Sequence, residues 1–335
     1  MMRVVVKVGT STLAHKTGCL NIRLVETLCK TLADLQNAGH QIVLVSSGAI
    51  GMGVGKLQLG ARPSDMATKQ AAAAVGQCEL MYTYDKLFTE YNHTVAQVLL
   101  TAADIEDKMR RHNVETTLQR LLQLGAIPVI NENDTVAVEE IEFGDNDTLA
   151  ALVACLVEAD LMVILSDIEG LYDANPHFNP DARLIGRVEA IGPDIMAVAG
   201  GAGTTVGSGG MITKIKAARV LMVAGIPLVV CDGHRAEAIV DAAAGEDVGT
   251  LFVAAKKPHE ITPKKLWIAL GDAARGALAV DDGAKAALIE RGSSLLSVGV
   301  ARVEGRFDEG DVVDIKDDAG HLFARGLVAA ASDEV

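Results

Sequence analysis

Val4-Val5-Val6-Lys7-Val8 runs into Gly9-Thr10-Ser11, and further along Ile42-Val43-Leu44-Val45 runs into Ser46-Ser47-Gly48. Both apolar runs have the length of buried strands. Between them Ile22, Val25, Leu28, Leu32 and Leu35 recur at helical spacing, with Asn21 placed to cap the helix and Gly39 to stop it. Strand, helix, strand is a βαβ unit, which implies a parallel sheet with helices on its faces. The pattern repeats: further strands are expected at 95–100, 127–130, 161–165 and 227–231, and helices near 66–80, 110–124, 147–158 and 211–224. The expected fold class is α/β, an open mainly parallel sheet sandwiched by helices over residues 1–255.

The texture changes at 256–265. KKPHEITPKK holds two prolines and four lysines and reads as a linker. Beyond it, KLWIAL, SLLSVGV, VVDIK and LFARGLVAA are short segments between Gly and Asp turns, expected to form a small β-rich domain over 266–335.

Composition removes several function classes. The chain has 335 residues and a net charge of −14, a poor surface for nucleic-acid phosphates. From Lys264 onward nine basic residues face thirteen acidic ones, a net of −4. Aromatic residues are 3%, too few for a base-stacking platform. The five cysteines are odd in number and form no CxxC, so neither a disulfide framework nor a zinc site is expected. The apolar N-terminal run is too short for a signal segment, and the most apolar later stretch, 148–165, is broken by Glu158 and Asp160. A cytoplasmic protein without a membrane span is the expectation.

Several motifs point to phosphate chemistry. Lys7 ends a strand before a Gly-hydroxyl turn, where it can reach a phosphate; the alternative is an edge lysine extending to solvent. Ser46-Ser47-Gly48-Ala49 follows the second strand, at the sheet end where ligands bind in open α/β folds; the alternative is an ordinary βα turn. Asn131-Glu132-Asn133-Asp134 and Gly144-Asp145-Asn146-Asp147 together hold four carboxylates and three amides, either a convergent site or a solvated acidic loop. Asp145 or Asn146 is placed to cap the following helix. Ser166-Asp167 follows the strand at 161–165. Gly207-Ser208-Gly209-Gly210-Met211-Ile212-Thr213-Lys214 is a glycine run opening a helix, an anion site or a flexible loop. Gly51–Lys56, GMGVGK, is not a phosphate loop, because Leu57 stands where that motif needs a hydroxyl.

These pieces, in this order, resemble the amino acid kinase family. The resemblance is carried by VVVKVGTSTL (4–13), LVSSGAIGMG (44–53), KQAAAAVGQ (69–77), VINENDTVA (129–137), FGDNDTLAALVA (143–154), LSDIEGLYDANP (165–176) and GSGGMITKIKAA (207–218). DDGAKAALIERGSSLL (281–296), GVARVEGRFDEGDVV (299–313) and ARGLVA (324–329) resemble a PUA domain, expected here without its final strand.

The NEND and GDND segments, with this tail, point to the branch of the family that acts on glutamate. The resemblance implies ATP-dependent phosphorylation of the side-chain carboxylate of L-glutamate to glutamyl 5-phosphate, the first step of proline synthesis. It implies Lys7, Lys214 and Asp147 as catalytic residues, the lysines flanking the transferred group. Ser47, Gly48, Ala49, Asn131, Asp134, Asp145 and Asn146 are implied for glutamate. Lys7, Ser166, Asp167, Ser208, Gly209, Gly210, Met211, Ile212, Thr213 and Lys214 are implied for the nucleotide. Magnesium is implied as a companion of ATP, with no protein ligand assigned. Proline is implied as a feedback inhibitor and a homo-oligomer as the assembly. Competing readings are a kinase of aspartate, acetylglutamate, carbamate or a nucleoside monophosphate, an RNA-binding module, and an inactive amino acid sensor.

Overall fold

The structure, a computed structural model, describes residues 1–15, 19–136, 146–176, 178–199, 210–254, 274–291, 293–308, 311–318 and 320–335. The chain divides into two compact units, Met1–Ile261 and Thr262–Val335. The linker expected at 256–265 and the KLWIAL segment lie outside the described residues.

In the first unit the strands are β1 (Arg3–Val8), β2 (Gln41–Val45), β3 (Val95–Leu100), β4 (Ile127–Glu132), β5 (Leu161–Ser166), β6 (Arg187–Val188), β7 (Leu228–Asp232) and β8 (Thr250–Phe252). They form one sheet in the order β3-β4-β2-β1-β5-β7-β8-β6. All pairings are parallel except β7 with β8. The helices are α1 (Thr10–Leu13), α2 (Ile22–Asn37), α3 (Ala49–Lys56), α4 (Met66–Thr89), α5 (Ala102–Glu106), α6 (Lys108–Gln123), α7 (Asn146–Leu156), α8 (Pro193–Ala199), α9 (Met211–Ala224) and α10 (Ala238–Ala244).

Strand β1 lies at the centre, paired with β2 on one side and β5 on the other. Its side chains alternate between the sheet faces. Val4, Val6 and Val8 join a core with residues of α2, α4 and α10. Lys7 faces the other way, toward α7 and α9. Asn21 caps α2 by accepting from the Leu24 N–H, and Val25, Leu28, Leu32 and Leu35 are buried. Ile22 departs from the expected stripe: it is 63% exposed, because it sits in the first turn before the helix meets the sheet. Helix α4 runs nine residues past the expected end at 80, since Leu80, Tyr84 and Phe88 continue its buried stripe. No helix among the described residues is long and apolar enough to cross a membrane.

The stretch Gly51–Lys56 lies in α3, which crosses α4 backbone to backbone at Gly53. A Cβ at Gly53 would stand 1.8 Å from the Ala72 carbonyl oxygen, and one at Gly76 would stand 1.7 Å from that of Ala49.

In the second unit, β9 (Gly276–Val280), β10 (Val300–Gly305), β11 (Val312–Lys316) and β12 (Leu322–Leu327) form a sheet ordered β10-β9-β11-β12, with helix α11 at Asp282–Arg291. Leu278, Phe307 and Val313 centre its core, and Val335 packs on them. VVDIK and LFARGL are strands as expected. SLLSVGV is not: Ser297–Gly299 is a 3₁₀ turn, and the strand begins only at Val300.

The α3–α4 crossing generates a prediction. Gly53→Ala or Gly76→Ala should cost about 1–3 kcal/mol, as overpacking does. Gly186→Ala, with nothing within 4 Å of its added methyl, should stay within about 0.5 kcal/mol of the parent. Urea denaturation of the three variants checks this; equal stabilities would refute the backbone contact.

Candidate active site

The turns after β1, β2, β4 and β5 leave the sheet at its carboxyl edge, where parallel strands present ligand sites. Gly48 opens α3 with φ of +97°, a left-handed conformation that favours glycine. An added Cβ there would sit 3.8 Å from Thr10, so the turn after β2 stands against the turn after β1.

The first centre is ionic. Asp147 is fully buried in the first turn of α7. Lys7 Nζ from β1 lies 2.6 Å from its Oδ1, and Lys214 Nζ from α9 lies 3.1 Å from its Oδ2. The Thr213 hydroxyl stands 2.8 Å from the same Oδ2. Burial pushes the Asp147 carboxyl up, but the Lys7 and Lys214 ammonium groups outweigh it and hold the group well below the usual carboxylate range. Among the described residues the cluster sets two ammonium groups against one carboxylate. Buried and cationic by one charge, it suits an anion arriving at the sheet edge.

The second centre is a chain of amides. Asn146 Nδ2 reaches the Ser46 carbonyl at 2.8 Å, Ser47 Oγ at 2.7 Å and Asn131 Oδ1 at 3.0 Å. Asn131 Nδ2 donates to Gln77 Oε1 at 2.9 Å, and its Oδ1 accepts from the Glu132 N–H at 2.9 Å. Ser46 Oγ lies 2.9 Å from the Tyr84 hydroxyl. Burial pushes the Tyr84 pKa up, so its hydroxyl stays neutral. The side chain of Asn146 therefore ties three loops together instead of capping α7.

Asp134 sits half-buried in the turn after β4. Ser166 is buried at the end of β5, and Asp167 is exposed beside it. Gly210 precedes α9, with Met211, Ile212, Thr213 and Lys214 in its first turn. Asp145, Ser208 and Gly209 lie outside the described residues. Gln77 and Tyr84 escaped the sequence reading. The available signal was a glutamine inside the apolar stripe of α4, with a tyrosine two turns on along the same face.

Fold and site together define a class. The amino acid kinase family model matches residues 2–232, and the chain belongs to that family. The PUA domain model matches residues 276–335. More particular are its full-length relatives. The chain is 50% identical over 334 residues to the glutamate 5-kinase of Caldanaerobacter subterraneus subsp. tengcongensis, covering 100% of this chain and 89% of that one. It is 51% identical over 325 residues to the glutamate 5-kinase of Moorella thermoacetica, covering 97% and 85%. With that of Gloeobacter violaceus it shares 47% over 336 residues, covering 100% and 91%. Among solved structures, the carbamate kinase from Giardia lamblia bound to AMP-PNP has the same fold at a TM-score of 0.56 and 16% identity, covering 76% of this chain and 99% of that one. An isopentenyl phosphate kinase from T. acidophilum superposes at 0.52 with 17% identity, covering 74% and 99%.

Removing the buried anion should be severe. Asp147→Asn leaves two lysines facing each other without a counter-ion, at a cost of about 3–5 kcal/mol. The pH dependence follows from the lowered pKa. The parent's contribution is complete above the unfolded carboxyl's pKa of about 4, and it is lost as pH falls through the lower folded value. The stability gap between parent and variant should therefore be full at pH 7 and narrow in acid. Urea titrations at pH 7 and pH 3 measure it; a gap that widens in acid would contradict the assignment.

Proposed function

We propose that the chain transfers the γ-phosphoryl group of ATP to the side-chain carboxylate of L-glutamate, forming glutamyl 5-phosphate. The observation that carries the reading is the Lys7–Asp147–Lys214 cluster beside the amide-lined loops at the sheet edge. Identity near 50% to glutamate 5-kinases over nearly the whole chain supports the choice of acceptor.

The chemistry suits these residues. The acceptor carboxylate is ionised at pH 7, so no general base is needed. A carboxylate oxygen attacks the γ-phosphorus, the bond to the β-phosphate oxygen breaks, and ADP leaves. Two anions must approach each other while charge spreads over the transferred group. Lys7 and Lys214 supply the opposing charge, already held in place by Asp147. The lysines thus do not have to reorganise as the reaction proceeds.

Ser47, Gly48, Ala49, Asn131, Asp134 and Asn146 are assigned to glutamate, with Asp134 facing its ammonium. Ser166, Asp167 and the start of α9 are assigned to the nucleotide. Among the described residues no group of three His, Cys, Asp or Glu side chains is disposed to hold a metal ion. Magnesium is assigned as the companion of the nucleotide substrate. We further infer that proline competes with glutamate, that the assembly is a homo-oligomer, and that 266–335 is not needed for the chemistry.

Glutamate-dependent ADP release with magnesium and ATP, together with hydroxylamine trapping of the acyl phosphate, tests the reading. Equal or faster turnover of aspartate or acetylglutamate would overturn it. Lys214→Ala should lower kcat by roughly 10²–10³, the worth of one donor to transition-state charge. A change confined to KM would mean the residue acts only in binding. Asp134→Ala should raise the KM for glutamate far more than that for ATP, and steady-state kinetics with each substrate varied in turn will separate the two.

A further inference from the structure

We propose that Gln77 is a positioning residue of the glutamate site: its side-chain carbonyl holds the Asn131 amide and, through it, the Asn146 amide that faces Ser47. The inference rests on the glutamate reading above and deepens it.

The argument is one of hydrogen-bond polarity. A backbone carbonyl only accepts, so the atom of Asn146 facing the Ser46 carbonyl at 2.8 Å is the amide nitrogen. A backbone N–H only donates, so the atom of Asn131 facing Glu132 N at 2.9 Å is the carbonyl oxygen. With both ends fixed, Asn131 turns its Nδ2 toward α4. Asn131 is 2% exposed, and a buried donor needs an acceptor. Gln77 Oε1 supplies it at 2.9 Å.

The polarity then propagates to the ligand face. Asn131 Oδ1 is free to accept from Asn146 Nδ2 at 3.0 Å, and Ser47 Oγ lies 2.7 Å from the same nitrogen, whose two hydrogens are shared among three acceptors. Facing an amide nitrogen that accepts nothing, the Ser47 hydroxyl directs its own proton elsewhere. Asn146 Oδ1 remains as an acceptor among the described residues. The site therefore offers a donor at 47 and an acceptor at 146. That pair matches the α-carboxylate and α-ammonium of a free amino acid.

The burial of Gln77 makes it a poor packing residue. It lies in the apolar stripe of α4 at 8% exposure, and its Nε2 has no partner among the described residues. A residue kept for packing alone would not carry half an amide unsatisfied. What Gln77 contributes here is its single carbonyl oxygen.

The test compares Gln77→Met, which keeps length and removes the acceptor, with Gln77→Glu, which keeps an oxygen at the same place. Gln77→Met should raise the KM for glutamate about tenfold, the worth of one buried hydrogen bond, with the KM for ATP within about twofold and the melting temperature little changed. Gln77→Glu should recover most of that loss. In a Ser47→Ala background, where the end of the relay is gone, the effect of Gln77→Met on glutamate KM should shrink below about threefold. An unchanged glutamate KM in Gln77→Met, equal losses in the Met and Glu variants, or a full effect persisting in Ser47→Ala would each overturn the proposal. If Gln77→Met does not fold, Gln77→Glu decides alone, and a tenfold rise in its glutamate KM would sink the idea. Failure of the underlying reading shows separately, as absence of glutamate-dependent ADP release by the unsubstituted chain, and takes this inference down with it.

Discussion

Asp147 is a carboxylate with no access to water, and its charge persists because an ammonium group from β1 and another from α9 lie against it. Taking three charges out of water is expensive, and close contact returns only part of that cost. The arrangement makes three elements mutually dependent. The lysine in β1 requires the start of α7, which requires the first turn of α9. The same contacts leave one positive charge in excess among the described residues, at the edge of the sheet where β1 and β5 end. A fold seeking stability alone would have placed apolar side chains there. The protein thus gives up stability to hold these charges in position.

The amide chain on the other side of the β1–β2 turns works differently. It carries no net charge, and its power lies in direction. The two asparagine amides have fixed orientations because they meet backbone groups, the Ser46 carbonyl and the Glu132 N–H. In the proposed reaction the two centres divide the labour: one would manage charge on the transferred group, the other would recognise the small zwitterionic acceptor.

Much of this was legible in the sequence, for definite reasons. The strands of the first unit are continuous apolar runs because both sheet faces are covered, and Lys7 stood out as the one charge inside such a run. Asn21 and Gly39 marked the ends of α2 by capping chemistry. What escaped was whatever depends on tertiary contact. Strand β6 has two residues and β8 three, too short for any periodicity. The end of α4 was set at 80 although Tyr84 and Phe88 extend its stripe, and Ile22 was counted as core although the helix reaches the sheet only later. Gln77 carried no local sign of its partner, because Asn131 lies 54 positions away and the two meet only after the sheet has formed. Leu57 already excluded the glycines of α3 as a phosphate loop, but only the crossing with α4 shows what Gly53 is for.

That crossing has a consequence for anyone wishing to change the acceptor. Ser47 and Gly48 lead directly into α3, and α3 is pressed against α4 at Gly53 and Gly76 with no room for even a methyl group. The loop assigned to the acceptor is therefore the front of a tightly packed two-helix block. Enlarging the pocket by substitutions along α3 would push on α4, and with it on Gln77 and Tyr84, before it created any space. The turn after β4, where Asp134 stands, meets that block through a side-chain bond, Asn131 to Gln77, and not through packed glycines. A library that keeps Asn131 and varies Asn133 and Asp134 would therefore probe acceptor length while leaving the crossing intact.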